Sequence, residues 1–344
     1  MIDILGTLGP SCGNEDTLLA MFAEGMTGIR INLSHVMLKD CTASIQKIQQ
    51  AAKVNGISPK ILIDIQGPEV RIGDFAETML AEGSTFTLVE GSYFNLKEEG
   101  SFTLKKGKQE IPVEEIVLNS LEEGQEILLD DGKILAKVAS VADNRSSAEL
   151  KVVRGGKLSG RKSLAIVGKS IDSPAMTISD IENIKIAGEC GVTAVMQPFV
   201  RSADDLKTVR RALDENKGKD IEIYAKIENM AGVENLTSFF PYADEIVIAR
   251  GDLGNAMPLW ELPKVQKEIA KACNVAHKRF MVVTQMLSSM DHSKVPTRAE
   301  VSDIYIAVLD GASSVMVTGE TAIGENPVEV IRYLKKTAAI ALSY

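Results

Sequence analysis

The sequence predicts an α/β fold, a (β/α)8 (TIM) barrel with a small all-β domain inserted after the third strand. Two observations support this prediction. Strand-like and helix-like segments alternate at both ends of the chain, and a β-rich stretch without a long helix separates them. Three predicted strands precede the stretch and five follow it, which gives the eight strand–helix units of a closed barrel. We assign residues 1–69 and 171–344 to the barrel and residues 70–170 to an inserted β-barrel lid domain.

The first three strands are predicted from short apolar runs at residues 2–8, 29–34 and 60–64. Asn14 is a predicted N-cap for the helix after the first run, and helical spacing over residues 39–53 predicts the next helix. Strands that alternate with helices in this way are expected to be parallel, with helical crossovers.

The predicted insertion contains strand-like runs at residues 85–89, 126–129 and 148–153. Asp130-Asp131-Gly132-Lys133 is typical of a tight turn between two strands. No long helix is predicted between residues 70 and 169, so the insertion is expected to be all-β.

The alternation resumes after residue 171. The predicted strands are residues 192–196, 221–229, 246–250, 280–284 and 314–318. The predicted helices run from an N-cap at Ser179 or Asp180 to about 189, from Ser202 to about 215, and over residues 233–239, 262–277, 298–309 and 327–342.

Composition limits the class of protein. The 344 residues carry 38 basic and 47 acidic side chains, a net charge of −9, which argues against non-specific nucleic-acid binding. Four cysteines without a Cys-x-x-Cys pair predict neither a zinc knuckle nor a redox motif. Neither a signal peptide nor a membrane-spanning apolar run is predicted. We therefore expect a cytoplasmic protein that does not interact with membranes.

The fifth predicted strand carries the most informative charges. Lys226 and Glu228 are two residues apart, so both point to the same side of the strand. Asp252 follows the end of the next strand. Each charge alone is typical of a solvated rim, but together at successive strand ends they predict a site for a divalent cation and an anion.

Barrel closure gives the other polar strand ends a shared location. In these barrels the active site lies at the C-terminal ends of the strands. The polar residues predicted there are Arg30, Asn32, Ser34, Asp64, Lys226, Glu228, Asp252, Thr284 and Glu320. For Glu320 a structural role in the barrel is an equally good explanation, and we leave it out of the predicted catalytic set.

Nine short segments carry a family resemblance. They are Gly9-Pro10, Arg30-Ile-Asn-Leu-Ser-His35, Gly67-Pro68-Glu69-Val70-Arg71, Asp130-Asp131-Gly132, Lys226-Ile-Glu-Asn229, Ala249-Arg-Gly-Asp-Leu-Gly254, Thr284-Gln-Met-Leu287, Pro296-Thr-Arg-Ala-Glu300 and Gly319-Glu-Thr321. Each is weak alone. In this order and on these predicted strands, they make the chain resemble the pyruvate kinase family over nearly its whole length.

The resemblance implies phosphoryl transfer from phosphoenolpyruvate to ADP, a step of glycolysis, with Mg²⁺ and K⁺ as cofactors. It implies that Glu228 and Asp252 bind Mg²⁺ and that Lys226 and Arg30 contact the transferred phosphoryl group. Gly251 would let the substrate approach the backbone. Thr284 would line the face on which the enolate is protonated.

The resemblance also implies a K⁺ site and a nucleotide site. The implied K⁺ ligands are Asn32, Ser34, Asp64 and the main-chain oxygen of Ile65. Glu69 corresponds to the residue that accompanies K⁺ dependence in the family. The residues implied for ADP or ATP are Asn32, His35, Arg71 and Lys162. Arg71 and Lys162 flank the insertion, which implies a lid that closes and excludes water.

Some positions depart from the family pattern. The third-strand motif has Ile65-Gln66 instead of Thr-Lys, so a positive charge is missing, whereas a main-chain ligand at Ile65 survives the change. Pro198 and Ser163 also differ from the usual residues. We expect no fructose bisphosphate site of the C-terminal type, and at most a homodimer through the barrel.

Two alternative functions remain open from the sequence. One is another enolate-forming Mg²⁺ enzyme of the phosphoenolpyruvate/pyruvate barrel type, an aldolase or a decarboxylase. The lid and Lys162 argue for a nucleotide user instead. The other is a non-catalytic metabolite-binding relative, against which the presence of Lys226, Glu228, Asp252 and Thr284 argues.

Overall fold

The computed structural model describes residues 2–34, 36–91, 109–130, 132–169 and 171–344. The first elements are β1 (Asp3–Thr7), α1 (Glu15–Ala23), β2 (Gly28–Asn32), a 3₁₀ turn (Leu38–Cys41), α2 (Thr42–Val54) and β3 (Lys60–Asp64). Asn14 caps α1 as predicted, since its Oδ1 accepts a hydrogen bond from the Thr17 amide at 2.9 Å.

Eight strands and one helix follow in the described part of the middle of the chain. They are β4 (Thr78–Leu80), β5 (Thr85–Glu90), β6 (Glu110–Val113), α3 (Glu115–Ser120), β7 (Glu126–Leu129), β8 (Ile134–Val141), β9 (Ser147–Arg154), β10 (Gly156–Leu158) and β11 (Leu164–Ile166). The six-residue helix α3 was not predicted, because its apolar residues are too few to show a helical period.

The alternation of helices and strands then resumes. The elements are α4 (Ile178–Ala187), β12 (Ala194–Gln197), α5 (Ala203–Glu215), β13 (Glu222–Ile227), α6 (Met230–Glu234), α7 (Leu236–Phe239), β14 (Glu245–Ala249), α8 (Arg250–Asn255), a 3₁₀ turn (Leu259–Glu261), α9 (Leu262–Val275), β15 (Arg279–Val283), a second 3₁₀ turn (Ser288–Asp291), α10 (Arg298–Leu309), β16 (Ser314–Met316), α11 (Gly319–Ala322) and α12 (Pro327–Leu342).

Eight parallel strands form a closed barrel in the order β1-β16-β15-β14-β13-β12-β3-β2. The predicted (β/α)8 barrel is therefore confirmed. Its interior is filled by apolar side chains and one buried tyrosine. These are Leu5, Leu62, Ala194, Met196, Tyr224, Val247, Ala249, Met281, Val283 and Met316. A barrel packed in this way leaves only its ends for chemistry.

Several predicted element ends were wrong. Arg250 begins the short helix α8 rather than ending a strand, so Gly251 and Asp252 lie in a helical first turn. Thr177 is the N-cap of α4, and Asp180 is the third residue of that helix. Ser34 lies in a turn after β2, and the helix predicted over residues 233–239 is the pair α6 and α7.

A polar network lies at the N-terminal end of the barrel. Glu245 is 1% exposed and accepts hydrogen bonds from the hydroxyl groups of Ser313 and Ser314. Arg279 forms an ion pair with Glu222 at 2.6 Å and lies 3.8 Å from Glu245. Burial raises the pKa of Glu245, against the opposing effects of its hydroxyl donors and of Arg279.

The chain divides into two compact units. The first comprises Met1–Gly67, Ala175–Gly254 and Trp260–Tyr344, and the second comprises Pro68–Pro174 and Asn255–Leu259. The second unit contains a six-stranded sheet in the order β11-β7-β8-β9-β5-β6 and a two-stranded sheet, β10-β4. Across the ranges that the structure describes, no helix is long and apolar enough to cross a membrane.

Candidate active site

A row of alternating charges lies at the C-terminal ends of β2, β3 and β13. The Arg30 guanidinium contacts Asp64 Oδ2 through Nε at 2.8 Å and Nη2 at 2.7 Å. Lys226 Nζ lies 3.1 Å from the same oxygen and 2.9 Å from Glu228 Oε1. Lys226 and Glu228, which were predicted to point to the same side, thus form a direct ion pair. A second ion pair next to it joins Arg30 and Asp64.

The row is almost inaccessible to water, which sets its protonation. Its side chains are at most 13% exposed. Burial lowers the pKa of Lys226, but the Asp64 and Glu228 carboxylates outweigh this effect and hold the pKa above its usual value. Burial raises the pKa of Asp64, and Lys226 and Arg30 more than reverse it. Lys226 is therefore a fixed positive charge at neutral pH.

Glu228 and Asp252 are the predicted Mg²⁺ ligands. Glu228 is 2% exposed, and its Oε2 accepts a hydrogen bond from the Phe199 amide at 2.8 Å. Burial raises the pKa of Glu228 well above its usual range, with Lys226 opposing and with Asp252 and Asp64 adding to the increase. A nearby cation would relieve this repulsion between carboxylates, so Glu228 and Asp252 fit a hard divalent metal. No group of three or more His, Cys, Asp or Glu that could hold a metal ion occurs among the described residues.

The predicted K⁺ ligands lie on neighbouring strand ends. Asn32 of β2 is in register with Asp64 of β3, and the Leu33 amide donates to the Asp64 carbonyl oxygen at 2.9 Å. Asn32 Oδ1 accepts a hydrogen bond from the Ser34 amide at 3.1 Å. The set of Asn32, Ser34, Asp64 and Ile65 offers oxygen donors from two adjacent chain segments, which fits a hard cation such as K⁺.

Thr284 follows β15 with an unusual backbone. Its φ is +79° and that of Gln285 is +55°, although neither residue is glycine. For a β-branched residue this conformation is strained, and such strain is common at functional sites. Thr284 Cγ2 lies 3.0 Å from the position that a Cβ on Gly251 would occupy. The structure therefore brings Thr284 against Gly251, and a side chain at Gly251 would crowd it.

The strained backbone is held by a residue to which the sequence assigned no role. Arg250 donates to the Thr284 carbonyl oxygen from Nη2 at 2.7 Å and from Nε at 3.2 Å. Its Nη1 contacts both carboxylate oxygens of Asp303, at 2.7 and 2.8 Å. The one feature of the sequence that could have indicated a role for Arg250 is its position, directly after β14 and next to Gly251.

Glu320 has partners that explain its burial. It is 2% exposed. Its Oε1 accepts from the Leu287 amide at 3.1 Å, and its Oε2 accepts from the Thr318 amide at 2.7 Å. Both carboxylate oxygens therefore join two loops of the barrel, which favours the structural explanation for this residue.

The predicted nucleotide residues Arg71 and Lys162 lie in the second unit. An isolated β-bridge pairs Arg71 with Ser163, and the Ile72 amide donates to the Lys162 carbonyl oxygen at 2.9 Å. Arg71 contacts Glu69 at 2.7 Å, and Lys162 contacts Asp130 at 3.0 Å. The two cations are thus on neighbouring segments. His35, the other nucleotide residue predicted after the second strand, lies outside the described residues.

Comparison with known proteins places the chain in a family. The model of the family described as pyruvate kinase, barrel domain, matches residues 1–331. The chain belongs to the pyruvate kinase family. The resemblance predicted from the motifs is therefore confirmed.

Individual pyruvate kinases are similar over nearly all of this chain. The enzyme of Mycobacterium intracellulare is 35% identical over 97% of the chain, and that of Debaryomyces hansenii is 33% identical over 98%. The pyruvate kinase of Bacillus licheniformis is 34% identical over 98% of the chain. The chain spans 68%, 66% and 56% of the lengths of these three relatives, respectively.

Proposed function

We propose that this protein transfers the phosphoryl group of phosphoenolpyruvate to ADP and forms pyruvate and ATP. The bond between phosphorus and the enol oxygen breaks, and a bond from a terminal phosphate oxygen of ADP to phosphorus forms. The enolate that remains takes up one proton at carbon. The row Arg30–Asp64–Lys226–Glu228 is the observation that carries the proposal.

Phosphoryl transfer depends on positioning and on charge stabilisation more than on covalent chemistry by the protein. Lys226 and Arg30 are two cations held by one carboxylate, Asp64, at 3.1 and 2.7 Å. Because Asp64 orders both side chains before a substrate binds, they can meet the oxygens of the moving phosphoryl group with little rearrangement. Thr284 and Gly251 would line the face of the enolate that gains the proton.

Two cations complete the proposed site. Mg²⁺, held by Glu228 and Asp252, would stabilise the charge on substrate carboxylate and phosphate oxygens. Asn32, Ser34, Asp64 and the Ile65 carbonyl oxygen would bind K⁺. On the nucleotide side, we propose that Asn32, His35, Arg71 and Lys162 bind ADP, and the neighbouring placement of Arg71 and Lys162 supports this assignment.

A coupled assay of pyruvate and ATP formation tests the proposal. It would contain phosphoenolpyruvate, ADP and Mg²⁺, with and without K⁺. We expect wild-type activity that requires K⁺ and a loss of about 10²–10³-fold in kcat for Lys226→Met, since an electrostatic contact to the transition state is removed.

Lys60→Met is the matched control. Lys60 forms an ion pair with Asp3 at 2.7 Å at the opposite end of the barrel, so its removal should leave kcat unchanged. If the wild type forms neither pyruvate nor ATP under these conditions, the proposed reaction is wrong, and an enolate-forming enzyme of another type or a metabolite-binding protein becomes the better explanation.

A further inference from the structure

The first turn of α4 contains a buried carboxylate that the proposed reaction does not use. Asp180 is 1% exposed. It accepts three backbone hydrogen bonds, from Gln66 at 2.8 Å, Gly67 at 3.0 Å and Thr177 at 2.9 Å. The bond to Thr177 belongs to a capping box, but those to Gln66 and Gly67 reach 114 and 113 residues back along the chain. Helix capping therefore explains only part of its contacts.

The peptide group that Asp180 binds is the one that carries a proposed K⁺ ligand. The Gln66 amide and the Ile65 carbonyl belong to the same planar unit, and the described chain contains no cis peptide bond. In a trans peptide the N–H and C=O point in opposite directions. Since the Gln66 N–H points to Asp180, the Ile65 carbonyl oxygen points away from α4.

A charged acceptor on the N–H also changes the carbonyl. Hydrogen bonds to a carboxylate are stronger than neutral ones, and a peptide group polarised at its N–H presents a more negative oxygen. This oxygen is a better ligand for a cation. Polarisation of the Ile65 carbonyl oxygen does not depend on the Ile65 side chain. It can therefore operate in this chain, where that side chain departs from the family pattern.

The surroundings leave this peptide little freedom. The Ile65 amide donates to the Met196 carbonyl oxygen at 3.3 Å. Gly67 has a φ of +61°, and a Cβ at this position would lie 2.6 Å from Pro198 Cγ. The same helix holds the segment after β2 as well, because Asn183 Oδ1 accepts from the Leu38 amide at 2.9 Å.

We propose that Asp180 is a positioning residue of the monovalent-cation site, which orients and polarises the Ile65 carbonyl oxygen through the Gln66 amide. The inference rests on the K⁺ ligands of the proposed function and not on phosphoryl transfer itself. Partners behind metal ligands typically contribute about 10–100-fold to metal affinity. We expect an effect of this size for Asp180.

The test follows thermal unfolding as K⁺ replaces tetramethylammonium at constant ionic strength. The wild-type Tm should rise with K⁺ and saturate. Asp180→Asn keeps the shape but has one acceptor oxygen and no charge, so the K⁺ concentration at half-saturation should increase about 10–100-fold. In the activity assay the same variant should need more K⁺ and reach a kcat close to that of the wild type at saturation.

Two control variants separate positioning from helix stability. Thr177→Val removes the hydroxyl that caps α4 and leaves the bonds from Gln66 and Gly67 in place. Asp205→Asn changes another buried first-turn carboxylate, which accepts from the Arg201 amide at 2.9 Å. Both should lower the Tm without changing the K⁺ concentration at half-saturation.

An unchanged half-saturation in Asp180→Asn would overturn the inference, and so would a wild-type Tm that does not respond to K⁺. If Asp180→Asn does not fold, hydrogen exchange of the wild type tests whether K⁺ binds next to the peptide group that Asp180 contacts. K⁺ should protect the amides of residues 61–67, and unchanged exchange there would also reject the inference. A wild type that responds to K⁺ but forms no pyruvate would reject the reaction and leave the inference standing.

Discussion

Arg250 donates two hydrogen bonds to the carbonyl oxygen of Thr284, a residue whose φ of +79° is strained for a β-branched side chain. The guanidinium plane is fixed in turn by its ion pair with Asp303 at 2.7 Å. The position of Thr284 at the mouth of the barrel thus depends on the Arg250 guanidinium, a planar group with several N–H donors.

Arg250→Lys should therefore lower kcat more than it changes KM. A lysine has one donor group and cannot contact both Thr284 and Asp303 with the geometry of a fork. A small displacement of Thr284 is expected to cost about 10–100-fold in kcat. Steady-state kinetics of pyruvate formation measure this effect. Arg332→Lys, in a partly exposed pair with Glu24, serves as the control and should leave kcat unchanged.

Gln285→Gly should stabilise the protein. The residue has a φ of +55°, and glycine adopts this conformation without the penalty that a Cβ imposes. We expect the free energy of unfolding to increase by about 1 kcal/mol in chemical denaturation. We also expect kcat to fall, because a more flexible segment holds Thr284 less firmly.

Lys217→Gly is the control for that prediction. Lys217 has a φ of +61° and an exposed side chain. The substitution should also stabilise the protein, but without a change in kcat. Equal kinetic behaviour of the two glycine variants would show that the strain next to Thr284 has no part in positioning it.

Glu320→Gln should destabilise the barrel and leave KM for phosphoenolpyruvate unchanged. The carboxylate accepts from the amides of Leu287 and Thr318, and an amide side chain offers only one acceptor oxygen. One buried N–H then loses its partner, at a cost of about 1–3 kcal/mol in urea unfolding. Glu325→Gln, at an exposed position, should change stability by less than about 0.5 kcal/mol. An altered KM in Glu320→Gln would instead indicate contact with the substrate.

The sequence predicted the barrel and part of the candidate site for a physical reason. Alternation along the segment that includes β13 requires Lys226 and Glu228 to share a face, and eight repeated units require the strands to close, which brings the strand ends that carry Lys226 and Asp64 together. Both arguments use local periodicity, which a single sequence displays.

Arg250 and Asp180 could not be assigned in the same way. They act on main-chain groups that are 34 and 114 residues distant, and no side-chain pattern records such a contact. Asp180 also lies at the helix position where an acidic residue is expected for capping. Capping alone accounts for its presence in the sequence, so the sequence does not indicate its hydrogen bonds with the amides of Gln66 and Gly67. The positive φ of Thr284 was equally invisible, because neither Thr284 nor Gln285 is a residue that favours that conformation.

The last prediction concerns Glu245 at the N-terminal end of the barrel. Its pKa is raised from the ordinary 4.5, chiefly by burial, so the folded protein binds this proton more tightly than the unfolded chain does. The contribution of Glu245 to stability is therefore present below about pH 4.5 and is lost as pH rises toward the raised pKa. In Glu245→Gln this loss should disappear.

Urea unfolding of the wild type and of Glu245→Gln at a series of pH values measures the difference. The free energy of unfolding of the wild type, relative to the variant, should decrease as pH rises through that window. Glu268→Gln, on the exposed side of α9, controls for the removal of one negative charge. A constant difference between the wild type and Glu245→Gln across the window would mean that Ser313, Ser314 and Arg279 compensate the buried charge fully, so that ionisation of Glu245 costs the folded state nothing.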